Sequence, residues 1–257
     1  MSKVPGSPSD NTRAVERAID VLANTMRLYV EAHTRFGGLF DIDREEAVNN
    51  LDRAFEAKLN AFHSLYDVSK SLFPYNDFGD TALLIAVRNA LHHHDHPVFH
   101  SFLSRLYLED GFEKWEGAAF LLAQHPTRHG APILMTHLVR LDDIDARLDP
   151  TRASPLLDKH LKGARATKRF EVINNGLALP LVRARGTVKR YPEDQVYLDL
   201  MPIFISAVCR VFTALRSAGV TFKGDDAQTY LAPFTTEIDI DLQAPGFRAV
   251  RIGSTPF

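Results

Sequence analysis

From Asn11 to about Phe36, apolar residues recur at Val15, Ile19, Leu22, Met26, Tyr29 and Val30. Steps of three and four put them on one helical face, and Gly37-Gly38 predicts where that helix stops. A second helical pattern opens at Asp43, whose carboxylate can cap free N–H groups, with Glu45 and Glu46 favourably placed in the first turn. Its stripe runs Val48, Leu51, Phe55, Leu59, Phe62 and Leu65 towards Leu72, and Pro74 closes it. Two helices of about 26 to 30 residues with a short connection predict an antiparallel hairpin inside a bundle. A third helix is expected from Gly79-Asp80, where Asp80 can cap the free N–H groups. Its first half, Ala82 to Val87, is apolar on every side and therefore belongs in the middle of the bundle. The polar run Arg88-Asn89-Ala90-Leu91-His92-His93-His94-Asp95-His96 follows, and Pro97 predicts an end or bend just before it. A shorter helix is expected from Val98 to about Leu108.

After Gly111 the texture changes. Phe120-Leu121-Leu122 and Pro132-Ile133-Leu134-Met135 are short apolar runs between Gly, Pro and His, which predicts strands. Phe170–Ile173 and Leu177–Val182, separated by Asn174-Asn175-Gly176, predict a hairpin, because Asn-Gly suits the positive φ of such turns. A helix is expected over Glu193–Ser217, broken or kinked near Pro202 and closed by Gly219. Ile238, Ile240 and Leu242 alternate with Asp239 and Asp241, and a second alternating run follows Pro245-Gly246, so the chain should end in two strands turning there. The expected class is α+β: an N-terminal antiparallel α-helical bundle over 10–112, then a mixed α/β half over 113–257.

Composition narrows the class. The chain has 257 residues, 45% hydrophobic and 24% charged, enough for one sizeable domain or two modest ones. No apolar run approaches the roughly 18 to 20 residues of a membrane span, so no membrane partner is expected. The first nine residues, rich in Pro, Gly and Ser, read as a disordered lead-in rather than a secretory signal. A single cysteine, Cys209, excludes a disulfide framework and any multi-cysteine metal site, and a cytoplasmic address is expected. The net charge of −2 hides an asymmetry: Arg152 to Arg190 holds ten basic residues against Asp158 and Glu171. Lys162, Arg165, Lys168, Arg169, Arg183, Arg185, Lys189 and Arg190 are thus candidates for a phosphate-facing surface, the alternative being a solvated basic loop.

Five of the eleven histidines, His92, His93, His94, His96 and His100, fall within nine positions. Four readings compete. Histidines at a helix C-terminus can bond free carbonyls. His92 and His96 have the i,i+4 spacing of two metal ligands, with Asp95 nearby and His100, His125 or His129 as a third, although no HExxH motif accompanies them. Arg88, Asn89 and His93 form an Arg, four intervening residues, then a His. Arg88 can, finally, simply pair with an acid at the bundle edge.

The third reading resembles the HEPN superfamily (higher eukaryotes and prokaryotes nucleotide-binding domain), whose signature is Arg, four to six residues, then His, often with a polar residue after the Arg. The resemblance covers about residues 10–110, and His94 satisfies the spacing as well as His93. It implies a metal-independent, cofactor-free ribonuclease acting on RNA as a homodimer. A toxin or defence role, held by an inhibitory partner protein, is implied in the same way. Other members are non-catalytic nucleotide-binding or scaffolding modules. The chemistry is coherent: a histidine titrating near neutrality serves as acid or base, and an arginine presents a fixed fork to phosphate. Arg88 and His93 sit about 140° apart on one helix, so opposing chains would have to combine them. No P-loop, G-x-G-x-x-G or G-x-S-x-G motif is present. Cys209 reads as a buried inert thiol and Trp115 as packing. Asp142-Asp143-Ile144-Asp145 could attract a cation but reads first as a solvated acidic turn, and Asp239 and Asp241 read as solvent-facing before catalytic.

Overall fold

The computed structural model describes residues 10–92, 98–109 and 111–253. Helices α1 (Asp10–Phe40) and α2 (Arg44–Ser69) form the expected antiparallel hairpin. Val15, Ile19, Leu22, Met26 and Tyr29 of α1 meet Leu51, Phe55, Leu59 and Phe62 of α2, all buried, while Val30 faces outward. Asp43 caps α2 as expected, its Oδ1 accepting from Glu46 N at 2.9 Å. Gly37-Gly38 does not stop α1, which runs on to Phe40; both glycines are exposed within helical backbone and crowd nothing.

Helix α3 (Gly79–His92) is buried continuously from Gly79 to Val87. Asp80 lies inside its first turn instead of standing before it as a cap, with Oδ1 accepting from Thr81 N at 2.8 Å. The carboxylate is fully buried, and Oδ2 accepts from Ser206 Oγ at 2.8 Å and Arg210 Nε at 3.2 Å. Those donors belong to α8 (Leu200–Ser217), which also places Phe204 near Phe62, so the long C-terminal helix packs onto the bundle. By length and composition α8 is apolar enough to cross a membrane, but 61% of it is buried inside the protein, where its apolarity serves the core. A short helix α4 (Phe102–Ser104) continues into a π-helical turn, Arg105–Glu109.

The C-terminal half carries a four-stranded mixed sheet. Strand β1 (Ala119–Gln124) runs parallel to β4 (Val196–Asp199) and antiparallel to β6 (Gly246–Arg251), while β3 (Leu138–Arg140) pairs antiparallel with β4. The order is therefore β3-β4-β1-β6. Helix α5 (Leu141–Leu148) follows β3 directly and buries Leu141, Ile144 and Leu148. Leu121 and Ala123 of β1 face a hydrophobic cluster that includes residues from both 10–112 and 113–257. Phe120 and Leu122 face a second cluster with Phe102, Leu106, Trp115 and Tyr197, which gives Trp115 its packing role. A small second sheet pairs β2 (Thr127–His129) with β5 (Asp239–Ile240).

Several expectations are corrected. The hairpin at Asn174-Asn175-Gly176 is a pair of helices, α6 (Ala164–Gly176) and α7 (Leu179–Val188). Gly176 serves a close approach instead of a turn: a Cβ there would come within 3.0 Å of Gly79 Cα. Residues 193–199 are not α-helical. Val196–Asp199 is buried throughout between β3 and β1, and a short apolar run of that length reads equally as strand or helix. Asp199 then caps α8, accepting from Met201 N at 3.0 Å, and Pro202 sits in the first turn, where an N–H has no partner to lose. Residues 132–137 form no strand. The two final strands exist but belong to different sheets, so Pro245-Gly246 does not close a hairpin. Helix α9 (Asp225–Ala232) returns to α1, where Asp226 pairs with Arg27 at 3.2 Å.

Candidate functional site

Arg88 lies in the last turns of α3, where a cation suits the helix dipole. Its half-buried side chain reaches the neighbouring face of α2. There Arg88 Nε donates to Asn60 Oδ1 at 3.0 Å, and Nη1 donates to Asn89 Oδ1 at 3.4 Å. Both acceptors are neutral amides, and among the described residues no carboxylate pairs with Arg88. Among the described residues Nη2 makes no hydrogen bond.

One turn along α2 from Asn60 stands His63, half-buried, with Nδ1 3.3 Å from Asp67 Oδ2. Burial holds the His63 pKa below its usual value, and the positive charge of Arg88 pushes it the same way. His92, exposed at the end of α3, adds a smaller push. Asn60, His63, Asp67, Arg88, Asn89 and His92 thus make one polar surface across α2 and α3. His93, the histidine of the Arg-x4-His spacing, follows His92 directly but lies outside the described residues, as do His94, Asp95 and His96. Sequence reasoning missed Asn60, His63 and Asp67. The available signal was their i, i+3, i+7 spacing beside the buried stripe of α2.

The basic segment divides in two. Lys162, Arg165 and Lys168 on and before α6, and Arg185, Lys189 and Arg190 on and after α7, are exposed, with no ion pair among the described residues. Arg185 lies over the ring of Phe247, 5.6 Å from its centroid. Arg169 turns inward and donates to Ala82 O at 3.0 Å, so it braces α6 against α3. Arg183 grips both carboxylate oxygens of Asp145, with Nε to Oδ2 at 2.8 Å. Both are half-buried and committed to these partners, which sets them apart from the exposed cations. Asp142, Asp143 and Asp145 are accordingly no solvated turn: they pair with Arg152, Arg105 and Arg183.

No family model, curated protein or solved structure matches the chain.

Among the described residues no three His, Cys, Asp or Glu side chains are grouped to hold a metal. His92 stands at the helix end and its i,i+4 partner His96 lies outside the described residues. His100 is paired with Glu109, and His125 is buried with Nε2 3.0 Å from Leu177 O. The Cys209 thiol is pushed up to about 12, chiefly by burial, which makes it a poor nucleophile. Asp239 and Asp241 both pair with Arg128.

A second cluster of ionisable groups sits where the helical hairpin meets the carboxyl ends of β1 and β4. Asp199 is fully buried and accepts from His137 N, Met201 N and Gln124 Nε2, each at 3.0 Å. Burial raises its pKa to about 6. The His137 ring stacks on Phe55 at 3.5 Å and its pKa is held well below the usual value by burial and the nearby Lys58. Lys58 is itself buried, in the middle of the α2 stripe.

Proposed function

We propose that the chain is a metal-independent ribonuclease of HEPN type, acting in the cytoplasm on RNA as a homodimer. The observation that supports this reading best is the Arg88 guanidinium, anchored by two amide oxygens beside His63 with its outer donors uncommitted. Arg88 would bind the scissile phosphate through those donors and stay charged throughout. His63, neutral near pH 7 because its pKa is lowered, would accept the 2′-OH proton, with Asp67 fixing its ring. As the 2′ oxygen bonds to phosphorus, the P–O5′ bond breaks and the departing oxygen takes a proton. His93, from this chain or a second copy, would donate it, and Asn89 would keep the guanidinium plane in place. The product is a 2′,3′-cyclic phosphate. The exposed cations of α6 and α7 would hold the flanking backbone. The toxin or defence role, with an inhibitory partner, belongs to the same proposal.

End-labelled RNA incubated with the protein in excess EDTA tests it. Cleavage is expected from the wild type and loss of cleavage from Arg88→Ala, His63→Ala and His93→Ala, with circular dichroism unchanged. Arg88→Lys should not restore activity, since an ammonium lacks the fork. Equal cleavage by wild type and Arg88→Ala would refute the site. RNA binding without cleavage by any form would favour the non-catalytic module, and activity that returns only with added metal would favour the histidine-cluster metalloprotein.

A further inference from the structure

The mixed sheet is covered unevenly on one of its faces. Side chains alternate along a strand, so Phe120, Leu122 and Gln124 of β1 share a face, and the register adds Tyr197 and Asp199 of β4, Leu138 of β3 and Arg248 of β6. Phe102, Leu106 and Trp115 pack over the Phe120 end of that face. At the other end, where the parallel strands β1 and β4 finish side by side, the face lies open in a cleft of about 540 Å³. Leu122 and Leu138 form its apolar floor, with Ile133 and Leu134 of the loop before β3 beside them. Crevices outside the carboxyl ends of parallel strands commonly hold ligands, and the volume is that of a small-molecule site.

Gln124 and Arg248 give the cleft its directed polarity. Gln124 Nε2 donates to Oδ2 of the fully buried Asp199 at 3.0 Å, which fixes the amide plane and leaves Oε1 as an acceptor with no hydrogen bond among the described residues. Asp199 is held in turn by the backbone N–H groups of His137 and Met201, so the amide is set by the framework and not by solvent. Arg248 is exposed, has no ion pair among the described residues, and is the one cation among those that line the cleft. It stands opposite Leu122 in the register and therefore diagonal to Gln124, a separation of roughly 7–8 Å between Cα atoms. A fixed acceptor and a guanidinium fork are thus one small molecule's length apart across an apolar floor.

We propose that this cleft binds a compact organic monocarboxylate whose apolar body carries an N–H or O–H donor at the end away from the carboxylate. The donor bonds to Gln124 Oε1, the body lies on Leu122 and Leu138, and the carboxylate takes the fork of Arg248. Leu134, 83% exposed at the rim, gains cover from the bound body. A phosphomonoester is disfavoured, because its second charge would meet no second cation and would stand near the Asp199 carboxylate. The inference is independent of the ribonuclease reading, since none of the residues assigned there lines the cleft.

Isothermal titration calorimetry on the full chain tests this with indole-3-acetate, which carries a ring N–H at one end and a carboxylate at the other. Binding with a Kd below about 1 mM is expected. Arg248→Ala should weaken it at least about tenfold, and indole-3-acetamide, which lacks the charge, should bind the wild type as weakly. The 1-methyl derivative of the acid, with no N–H, should lose about fivefold. Arg251→Ala, on the same strand but the opposite face, should bind as the wild type does, and both variants remove exposed side chains, so their melting temperatures should match the wild type. No saturable binding up to about 5 mM, equal affinity of wild type and Arg248→Ala, or equal affinity for the acid and the amide would overturn the proposal. Tighter binding of adenosine monophosphate than of indole-3-acetate would overturn it in favour of a nucleotide.

Discussion

Alanine at Gly79 should destabilise the protein, while alanine at Gly37 should stabilise it. A Cβ on Gly79 would lie 2.9 Å from Val172 O and 3.0 Å from Gly176 Cα. Both are backbone atoms of α6 and no rotamer change relieves them, so α3 and α6 must separate by roughly 0.4 Å to reach ordinary contact. Overpacking of this kind costs about 1–3 kcal/mol, offset by up to about 1 kcal/mol from the better helix propensity of alanine. The net loss should be about 1–2 kcal/mol. Gly37 is exposed inside α1, with nothing within 4 Å of the point where a methyl carbon would stand, so alanine gains about 0.5–1 kcal/mol there. The two variants should therefore differ by about 2–3 kcal/mol, or about 4–6 °C in Tm for a chain of this size. Urea unfolding followed by circular dichroism measures both through the midpoint and slope. Equal midpoints for Gly79→Ala and Gly37→Ala would refute the close α3–α6 crossing, and with it the placement of Arg169 against Ala82.

Arg183→Ala should cost about 1–3 kcal/mol, because it takes the bidentate partner from a buried carboxylate, Asp145, and leaves it only Arg152 at 3.7 Å. Arg185→Ala should change stability by less than about 0.5 kcal/mol, yet weaken RNA binding and reduce the salt slope of log K by about one. Filter binding across a salt series alongside urea melts separates these outcomes, and similar behaviour of the two arginines would contradict the division of the basic segment. Asp52 offers a pH test. Its pKa is raised from 3.8 to about 6 by burial, although it accepts a 2.9 Å bond from Ser101 Oγ. The folded state thus favours the protonated carboxyl, a contribution fully present below about pH 4 and lost as pH rises through about 6. Asp52→Asn should accordingly be more stable than wild type by up to roughly 3 kcal/mol at about pH 8 and show no advantage at about pH 4. An advantage of the same size at both pH values would contradict the burial of an ionising carboxylate there.

The helical hairpin was legible because its signals were local: the stripes of α1 and α2, the Asp43 cap and the apolar first half of α3 each bury what the pattern says they bury. The misreadings arose where tertiary contact overrode local preference. Asn174-Asn175-Gly176 has turn chemistry, but Gly176 is needed where α6 crosses α3 at Gly79, and Ile173, Leu177, Leu179 and Val182 are buried at spacings that two short helices satisfy. Val196–Asp199 is strand because β1 and β3 flank it, which no window of four residues can reveal. The candidate site was half legible. Arg88 and Asn89 stood out through their spacing to His93, whereas Asn60, His63 and Asp67 come from a different helix and converge on Arg88 only when α2 and α3 pack. Charge density could not tell Arg183 and Arg169, which brace the fold, from Lys162 or Arg185, which face solvent. That distinction depends on Asp145 and on the carbonyl of Ala82, distant in sequence.

Helix α2 carries both an anchor of the candidate site and a buried lysine, and keeps them apart. Asn60 and Lys58 are two residues apart, about 200° around a helix, so one faces Arg88 at the surface while the other points into the aromatic core. The buried stripe of α2 fixes this division: Phe55, Leu59 and Phe62 hold the helix against α1 and α8, and rotating it to move either polar residue would expose all three. A substitution at Asn60 that releases Arg88 should therefore leave Lys58 in its cage. If Asn60→Ala abolished RNA cleavage and also cost about 3 kcal/mol of stability, as loss of a buried phenylalanine would, α2 would have to be shifting as a body, and the lost cleavage could not be assigned to the anchoring of Arg88.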